Sequence, residues 1–94
     1  MKKLKPNEQK LVGKWLLVNN KIVGDETCER IEELIDSYLT KLATDESGWD
    51  VLYQDPKDGR YWELTYPQSE LHGGGPATLT CVSQEYAFQK YKLK

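Results

Sequence analysis

The stretch of residues 48–76 constrains the fold more than any other part of the chain, because two alternating runs flank a strong turn signal. Apolar and polar side chains alternate over residues 49–53 and again over residues 60–66. Between them, the sequence DPKDG at residues 55–59 supplies the proline and the glycine that favour a tight turn. This pattern predicts two paired antiparallel strands, with one face in the core and the other exposed.

The preceding part of the chain is predicted to form a short hairpin and then a helix. Residues 14–23 indicate a strand, an Asn-Asn turn at residues 19–20 and then a second short strand or an extended run. Asp25 stands where the N-cap of a helix is expected. An apolar stripe at helical spacing follows: Cys28, Ile31, Leu34, Ile35, Tyr38, Leu39 and Leu42. The helix is expected to end within residues 43–47, because Gly48 is a natural terminator.

Two further elements complete the predicted fold. Residues 77–82 have the composition of a strand, and residues 84–91 show helical spacing. One long helix among several strands favours an α+β protein with a mainly antiparallel sheet of three to five strands. The long amphipathic helix should cover one face of this sheet, followed by a short C-terminal helix. We expect a single domain over residues 1–94, with residues 1–10 as a basic, solvated arm.

Composition narrows the class of protein. Its 38% apolar and 30% charged residues are typical of a folded soluble protein. The longest apolar run, residues 15–18, is far shorter than the roughly 18 residues of a membrane span or the roughly 7 of a signal-peptide core. We therefore expect a cytoplasmic protein with no membrane partner. The pI of about 5.4 argues against a nucleic-acid partner as well.

Charge is distributed unevenly, although the net charge is only −2. Residues 25–50 carry nine acidic and two basic side chains, a net charge of −7. Four of these acids follow the predicted solvent side of the helix: Glu29, Glu32, Glu33 and Asp36. Their i,i+4 pairs repel by about 0.2–0.5 kcal/mol each. The face is either a docking surface for a basic partner or a solubilising surface partly balanced by the N-terminal lysines.

Side chains suited to covalent chemistry are few and scattered. Glu63 has Arg60 nearby on the predicted strand and His72 in the later HGGGP loop, but these make neither a carboxylate pair nor a nucleophile and base. We expect Glu63 to bond Arg60 or a lysine. Asp55 and Asp58 suit capping of the turn backbone better than a calcium loop, which needs further ligands. The residues thus predict no catalytic group.

No metal or cofactor is expected either. The two cysteines, Cys28 and Cys81, lack CxxC spacing, and a single histidine cannot complete a zinc site with them. We expect both to be buried, reduced thiols. The three glycines of the HGGGP loop lack the further residues of a nucleotide-binding motif, so a shaped connection between strands is the favoured interpretation.

The order of the motifs resembles the immunity protein 27 family of bacterial polymorphic toxin systems. The likeness covers most of the chain from Gly13 onward and is carried by GW at residues 48–49, LY-x-DP-x-DGR-x-WEL-x-YP at residues 52–67 and HGGGP at residues 72–76. Ala77 departs from the second proline expected after that loop. The resemblance implies a small cytoplasmic antidote, not an enzyme, that binds a cognate toxin domain and blocks its active site or its access to substrate.

Under that resemblance, we expect the docking surface to combine the acidic side of the helix with the DPKDG turn. The residues concerned are Glu29, Glu32, Glu33, Asp36, Asp55, Asp58 and Arg60. The free protein is expected to be a monomer. Two alternatives stay open: a small hydrolase-like enzyme in which Glu63, Arg60 and His72 converge in one pocket, and a self-assembling adaptor that exposes an unpaired apolar strip such as residues 15–18.

Overall fold

Seven strands and two helices make up the described part of the chain. The computed structural model describes residues 3–67 and 75–93. The elements in chain order are β1 (Lys10–Val12), β2 (Trp15–Val18), β3 (Lys21–Gly24), α1 (Glu26–Ser37), β4 (Thr40–Thr44), β5 (Val51–Gln54), β6 (Tyr61–Thr65), β7 (Thr78–Val82) and α2 (Gln84–Tyr91). Within these residues, no helix is long and apolar enough to cross a bilayer.

The strands form one large and one small antiparallel sheet. The large sheet has the order β1-β7-β6-β5-β4, and every neighbouring pair in it is antiparallel. Strands β2 and β3 pair with each other in a separate two-stranded sheet. The predicted α+β fold, with its antiparallel sheet, amphipathic helix and short C-terminal helix, is confirmed.

Both faces of the large sheet are covered, each by one helix. Helix α1 buries Ile31 and Leu34 completely against a cluster that includes Trp62 of β6. Helix α2 packs Ala87 and Tyr91 against Leu52 on the other face. The expectation that one face of the β5–β6 pair is exposed is therefore wrong, because α2 occupies the face on which Glu63 lies.

Helix α1 begins as predicted but ends earlier. The Asp25 carboxylate accepts a hydrogen bond from the backbone N–H of Cys28 at 2.9 Å, which satisfies one of the free donors of the first turn. The helix ends at Ser37, and Thr40–Thr44 forms β4, so the predicted end within residues 43–47 is wrong. Leu39 continues the apolar stripe from non-helical backbone and is still buried. The helical spacing of apolar residues therefore continues beyond the last residue of the helix.

Residues 3–9 are mostly exposed, but the side chains of Leu4 and Glu8 anchor them to the body of the protein. The Leu4 side chain joins the core under α1. Arg30 of α1 binds both carboxylate oxygens of Glu8 at 2.7 and 2.8 Å. The guanidinium of Arg60 donates to the backbone carbonyls of Glu8 at 2.7 Å and Lys5 at 3.0 Å. An ion pair and apolar burial thus anchor the segment at Glu8 and Leu4.

Replacing Glu8 by glutamine should lower the free energy of unfolding by about 1–2 kcal/mol at neutral pH, because Arg30 loses a charged two-point acceptor. The hydrogen bonds from Arg30 lower the pKa of Glu8 from 4.5 to about 2. Since the folded-state pKa lies below the unfolded value, this stabilisation is present above pH 4.5 and is lost as the pH falls towards 2. Urea unfolding across this range should show a steeper loss in the unaltered chain than in Glu8→Gln. Equal slopes would contradict the prediction.

Candidate partner-binding surface

The acidic helix face consists of Glu29, Glu32, Glu33 and Asp36 on the solvent side of α1. All four are exposed, as the helical spacing predicts. Among residues 3–67 and 75–93, no Lys or Arg nitrogen forms a salt bridge with any of the four. Arg30 lies on the same helix but is turned towards Glu8. Within the described part of the chain, the face therefore presents four carboxylates to solvent that take part in none of the five salt bridges.

Strands β2 and β3 form a hairpin with a two-residue turn. Asn19 and Asn20 have φ angles of 51° and 63°, and Val18 pairs with Lys21 across them. Positive φ at both central residues is the requirement of a type I′ turn, whose twist matches that of the flanking strands. The predicted strand, Asn-Asn turn and strand are confirmed. The strip at residues 15–18 pairs with β3 on one side and, as in any two-stranded sheet, is an edge on the other.

The hairpin exposes most of its apolar side chains. Leu17 and Ile22 are opposite each other and are 73% and 69% exposed. Four further large apolar residues are exposed on the two strands: Trp15, Leu16, Val18 and Val23. Contiguous exposed apolar patches are typical of interaction sites. This surface was not among the docking residues predicted from the sequence, although the apolar run at residues 15–18 was its visible signal.

Close backbone packing fixes the base of the hairpin to the start of α1. A Cβ placed on Gly24 would lie 2.8 Å from the Cβ of Cys28. A Cβ placed on Gly13 would lie 2.5 Å from the Cys28 sulfur and 2.7 Å from the carbonyl oxygen of Ala77. Only glycine permits such an approach at either position. The backbone N–H of Asp25 also donates to the carbonyl of Lys14 at 3.0 Å. The orientation of the hairpin is therefore fixed at both of its ends.

A cleft joins the hairpin to the acidic helix face. It has a volume of about 340 Å³, and its walls include Trp15 and Val23 from the hairpin and Glu29 and Glu32 from α1. The apolar and acidic surfaces are thus neighbours at the base of the hairpin.

The DPKDG turn is largely a structural element. Asp55 is only 1% exposed, and its carboxylate accepts hydrogen bonds from the Tyr38 hydroxyl at 2.6 Å and the Lys57 backbone N–H at 2.8 Å. The hydrogen bond to Asp55 raises the pKa of Tyr38 to about 12. The expectation that Asp55 is an exposed docking residue is wrong, because it caps the turn from inside and joins it to the end of α1.

The other two charged residues near the turn serve the same local structure. The carboxylate of Asp58 accepts from the backbone N–H of Arg60 at 3.0 Å and from its guanidinium at 2.7 Å. Gly59 has the positive φ that the turn needs, 78°. The predicted capping of the turn backbone by both aspartates is confirmed. Asp58 is exposed and Arg60 is partly exposed, and the turn is joined to the end of α1 through the bond from Tyr38 to Asp55.

Glu63 and Arg60 do not meet. The Arg60 guanidinium lies over the Trp62 ring at 5.0 Å and bonds the N-terminal segment, whereas Glu63 points to the opposite face of the sheet. His72 lies outside the described residues, as do the first two glycines of its loop. The convergence that the hydrolase-like alternative requires is therefore missing for the pair that the structure describes.

Glu63 is instead the centre of a buried polar cluster between β6 and α2. Its carboxylate is bonded by the hydroxyls of Tyr91 at 2.8 Å and Tyr86 at 3.0 Å. Lys90 lies 2.6 Å from Glu63 and 2.8 Å from Asp50. Burial alone lowers the pKa of Lys90, but the two carboxylates outweigh it and the net pKa is raised. The predicted bond of Glu63 to a lysine is confirmed, and its role is to hold α2 on the sheet.

The cysteines and possible metal ligands give no further site. Cys28 is buried and Cys81 is partly exposed, and neither is in a disulfide. Burial raises the pKa of the Cys28 thiol, which keeps it protonated and unreactive. The described stretches bring together no three His, Cys, Asp or Glu side chains in a way that could hold a metal ion.

Comparison with known proteins identifies the family. Neither the curated proteins nor the solved structures that we compared contain a significant match. The family model described as immunity protein 27 matches residues 17–83. The match begins within the hairpin, spans more than half of the chain and includes α1 and every strand of the large sheet except β1. The chain therefore belongs to the immunity protein 27 family.

Proposed function

We propose that this protein neutralises a cognate toxin domain by binding it directly and covering its active site or its route to substrate. It acts in the cytoplasm as a monomer that meets the toxin, without turnover and without a cofactor. Membership of an immunity protein family supports the type of partner. The separation of Arg60 from Glu63 supports binding over catalysis.

The observation that carries this proposal is the acidic helix face. Its four carboxylates lie along about 10 Å of helix, given a rise of roughly 1.5 Å per residue. The repulsion within the face lowers the stability of the helix, and none of the described salt bridges involves these four carboxylates. A basic toxin surface would supply the missing positive charge and would also accelerate encounter. The helix therefore fits a docking surface better than a merely solubilising one.

Co-expression with the toxin domain encoded beside this chain's gene tests the proposal. Cells that make both proteins should grow, and the two should copurify in a stable complex. Cells that make a toxin variant without catalytic activity provide the control for expression, and the same complex should form there. Growth rescue without any physical complex would overturn the occlusion mechanism.

A further inference from the structure

We propose that the β2–β3 hairpin is the apolar anchor of the complex, with the Leu17–Ile22 pair seated in an apolar recess of the toxin domain whose rim is basic. This inference rests on the proposed function and names the element that supplies most of the affinity. The acidic helix face then governs the approach and the orientation of the toxin domain.

The two faces of the hairpin differ in charge and in exposure, and this difference indicates which face is the apolar anchor. Residues paired across antiparallel strands point to the same side. One face thus carries Trp15 with the Leu17–Ile22 pair, and the other carries Lys21 together with Leu16, Val18 and Val23. The first face has no charged side chain, and its two outermost residues are the most exposed aliphatic side chains of the hairpin. It is the face that gains most by leaving water.

The hairpin is held ready for binding. A two-stranded hairpin by itself is marginally stable in water, so this one depends on the contacts at its base. Glycines at both ends let the backbone pack onto Cys28, and the type I′ turn sets the register of the strands. A surface that is already ordered loses little conformational entropy on binding, which favours tight association.

Charge identifies the kind of occupant. Trp15, which lies on the same face as the Leu17–Ile22 pair, shares a cleft with Glu29 and Glu32 at the base of the hairpin, so a protein that covers this face down to its base also approaches these carboxylates. A second copy of the chain would bring its own acidic helix face to the same place, and a lipid surface rich in anionic headgroups would be repelled. A toxin domain with lysine or arginine around an apolar recess satisfies both parts of the surface.

The test replaces both anchors by threonine, which keeps the β-propensity of the strands while removing apolar area. Leu17→Thr/Ile22→Thr should raise the Kd for the purified toxin domain at least about 30-fold, because hot-spot residues contribute about 2 kcal/mol or more. Isothermal titration calorimetry gives the Kd, and circular dichroism should show an unchanged fold, since both side chains are largely exposed. Trp49→Thr is the matched control, because Trp49 is 67% exposed but follows β4 at the far edge of the sheet.

The outcomes separate this inference from the proposed function. If the unaltered chain binds the toxin and the double variant binds within threefold of it, the hairpin is not the anchor, although the proposed function stands. If the unaltered chain fails to bind, the proposed function fails and this inference with it. Light scattering of the free chain covers the remaining case: a dimer that the double variant converts to a monomer would assign the hairpin to a second copy and overturn the proposal.

Discussion

Reversing all four residues of the acidic helix face to lysine should slow association with the toxin domain by about 100-fold or more at low salt. Electrostatically steered encounters reach about 10⁸ M⁻¹s⁻¹, whereas neutral ones proceed at about 10⁵–10⁶ M⁻¹s⁻¹, and a reversed charge repels. The dissociation rate should change much less. Stopped-flow measurements at several salt concentrations give both the rate and its salt dependence, which should be steep for the unaltered chain and absent or inverted for the variant.

A paired comparison removes the effect of net charge alone. Glu32→Lys/Asp36→Lys and Glu46→Lys/Glu85→Lys change the net charge equally, but the second pair lies in the β4–β5 connection and on α2. Only the first pair should slow association strongly. Lysines at positions 32 and 36 should not unfold the helix, because like-charge repulsion is already present there and its last turn contains no basic residue. Equal effects of the two pairs would remove the acidic helix face from the account.

Lys90→Met should lower the free energy of unfolding by about 3 kcal/mol, because it leaves the carboxylate of Glu63 buried without its cation. This loss of stability is at the lower end of the range for a broken buried ion pair, because the Lys90 side chain is 28% exposed. The loss should appear as a lower urea midpoint with an unchanged slope. Toxin binding by the folded protein should be unaffected, because α2 lies on the opposite face of the sheet from α1.

The double variant Glu63→Leu/Lys90→Met tests whether the two residues act as a pair. Its loss of stability should be clearly smaller than the sum of the two single losses, because no buried charge is then left unpaired. Lys92→Met is the matched control: Lys92 binds Glu46 on the surface, where both side chains are highly exposed, and stability should hardly change. Additive losses for Glu63 and Lys90 would contradict the structural role of the cluster.

Local signals in the sequence predicted the parts of the fold that depend on neighbouring residues. The Asp25 cap, the Asn-Asn turn and the bounds of α2 at residues 84–91 all follow from side chains within a few positions of one another. The caps of the DPKDG turn belong to the same class. In each case the backbone geometry and the residues that satisfy it are adjacent in the chain.

The wrong predictions share a different cause, which is competition from distant contacts. Leu39 continues the helical stripe, yet the chain leaves the helix at Ser37 because β4 pairs with β5. Asp55 has the composition of an exposed turn residue, but the Tyr38 hydroxyl lies over it. Neither the spacing of apolar residues nor turn chemistry contains information about such partners.

The candidate site was only partly predictable for the same reason. Helical spacing was enough to place the acidic helix face in solvent. The apolar run at residues 15–18 gave no indication of whether it would lie in the core or on an exposed hairpin, because an apolar strand fits both. The close approach of Gly13 and Gly24 to Cys28 decides that question, and it depends on the packing of α1.

Titration of the purified toxin domain with this protein, following complex formation and toxin activity together, tests inhibition by occlusion. We expect toxin activity to fall in proportion to the fraction of toxin bound and to return fully when the complex is dissociated. A saturated complex that retains toxin activity, or a loss of activity that persists after this protein has been removed, would contradict inhibition by occlusion.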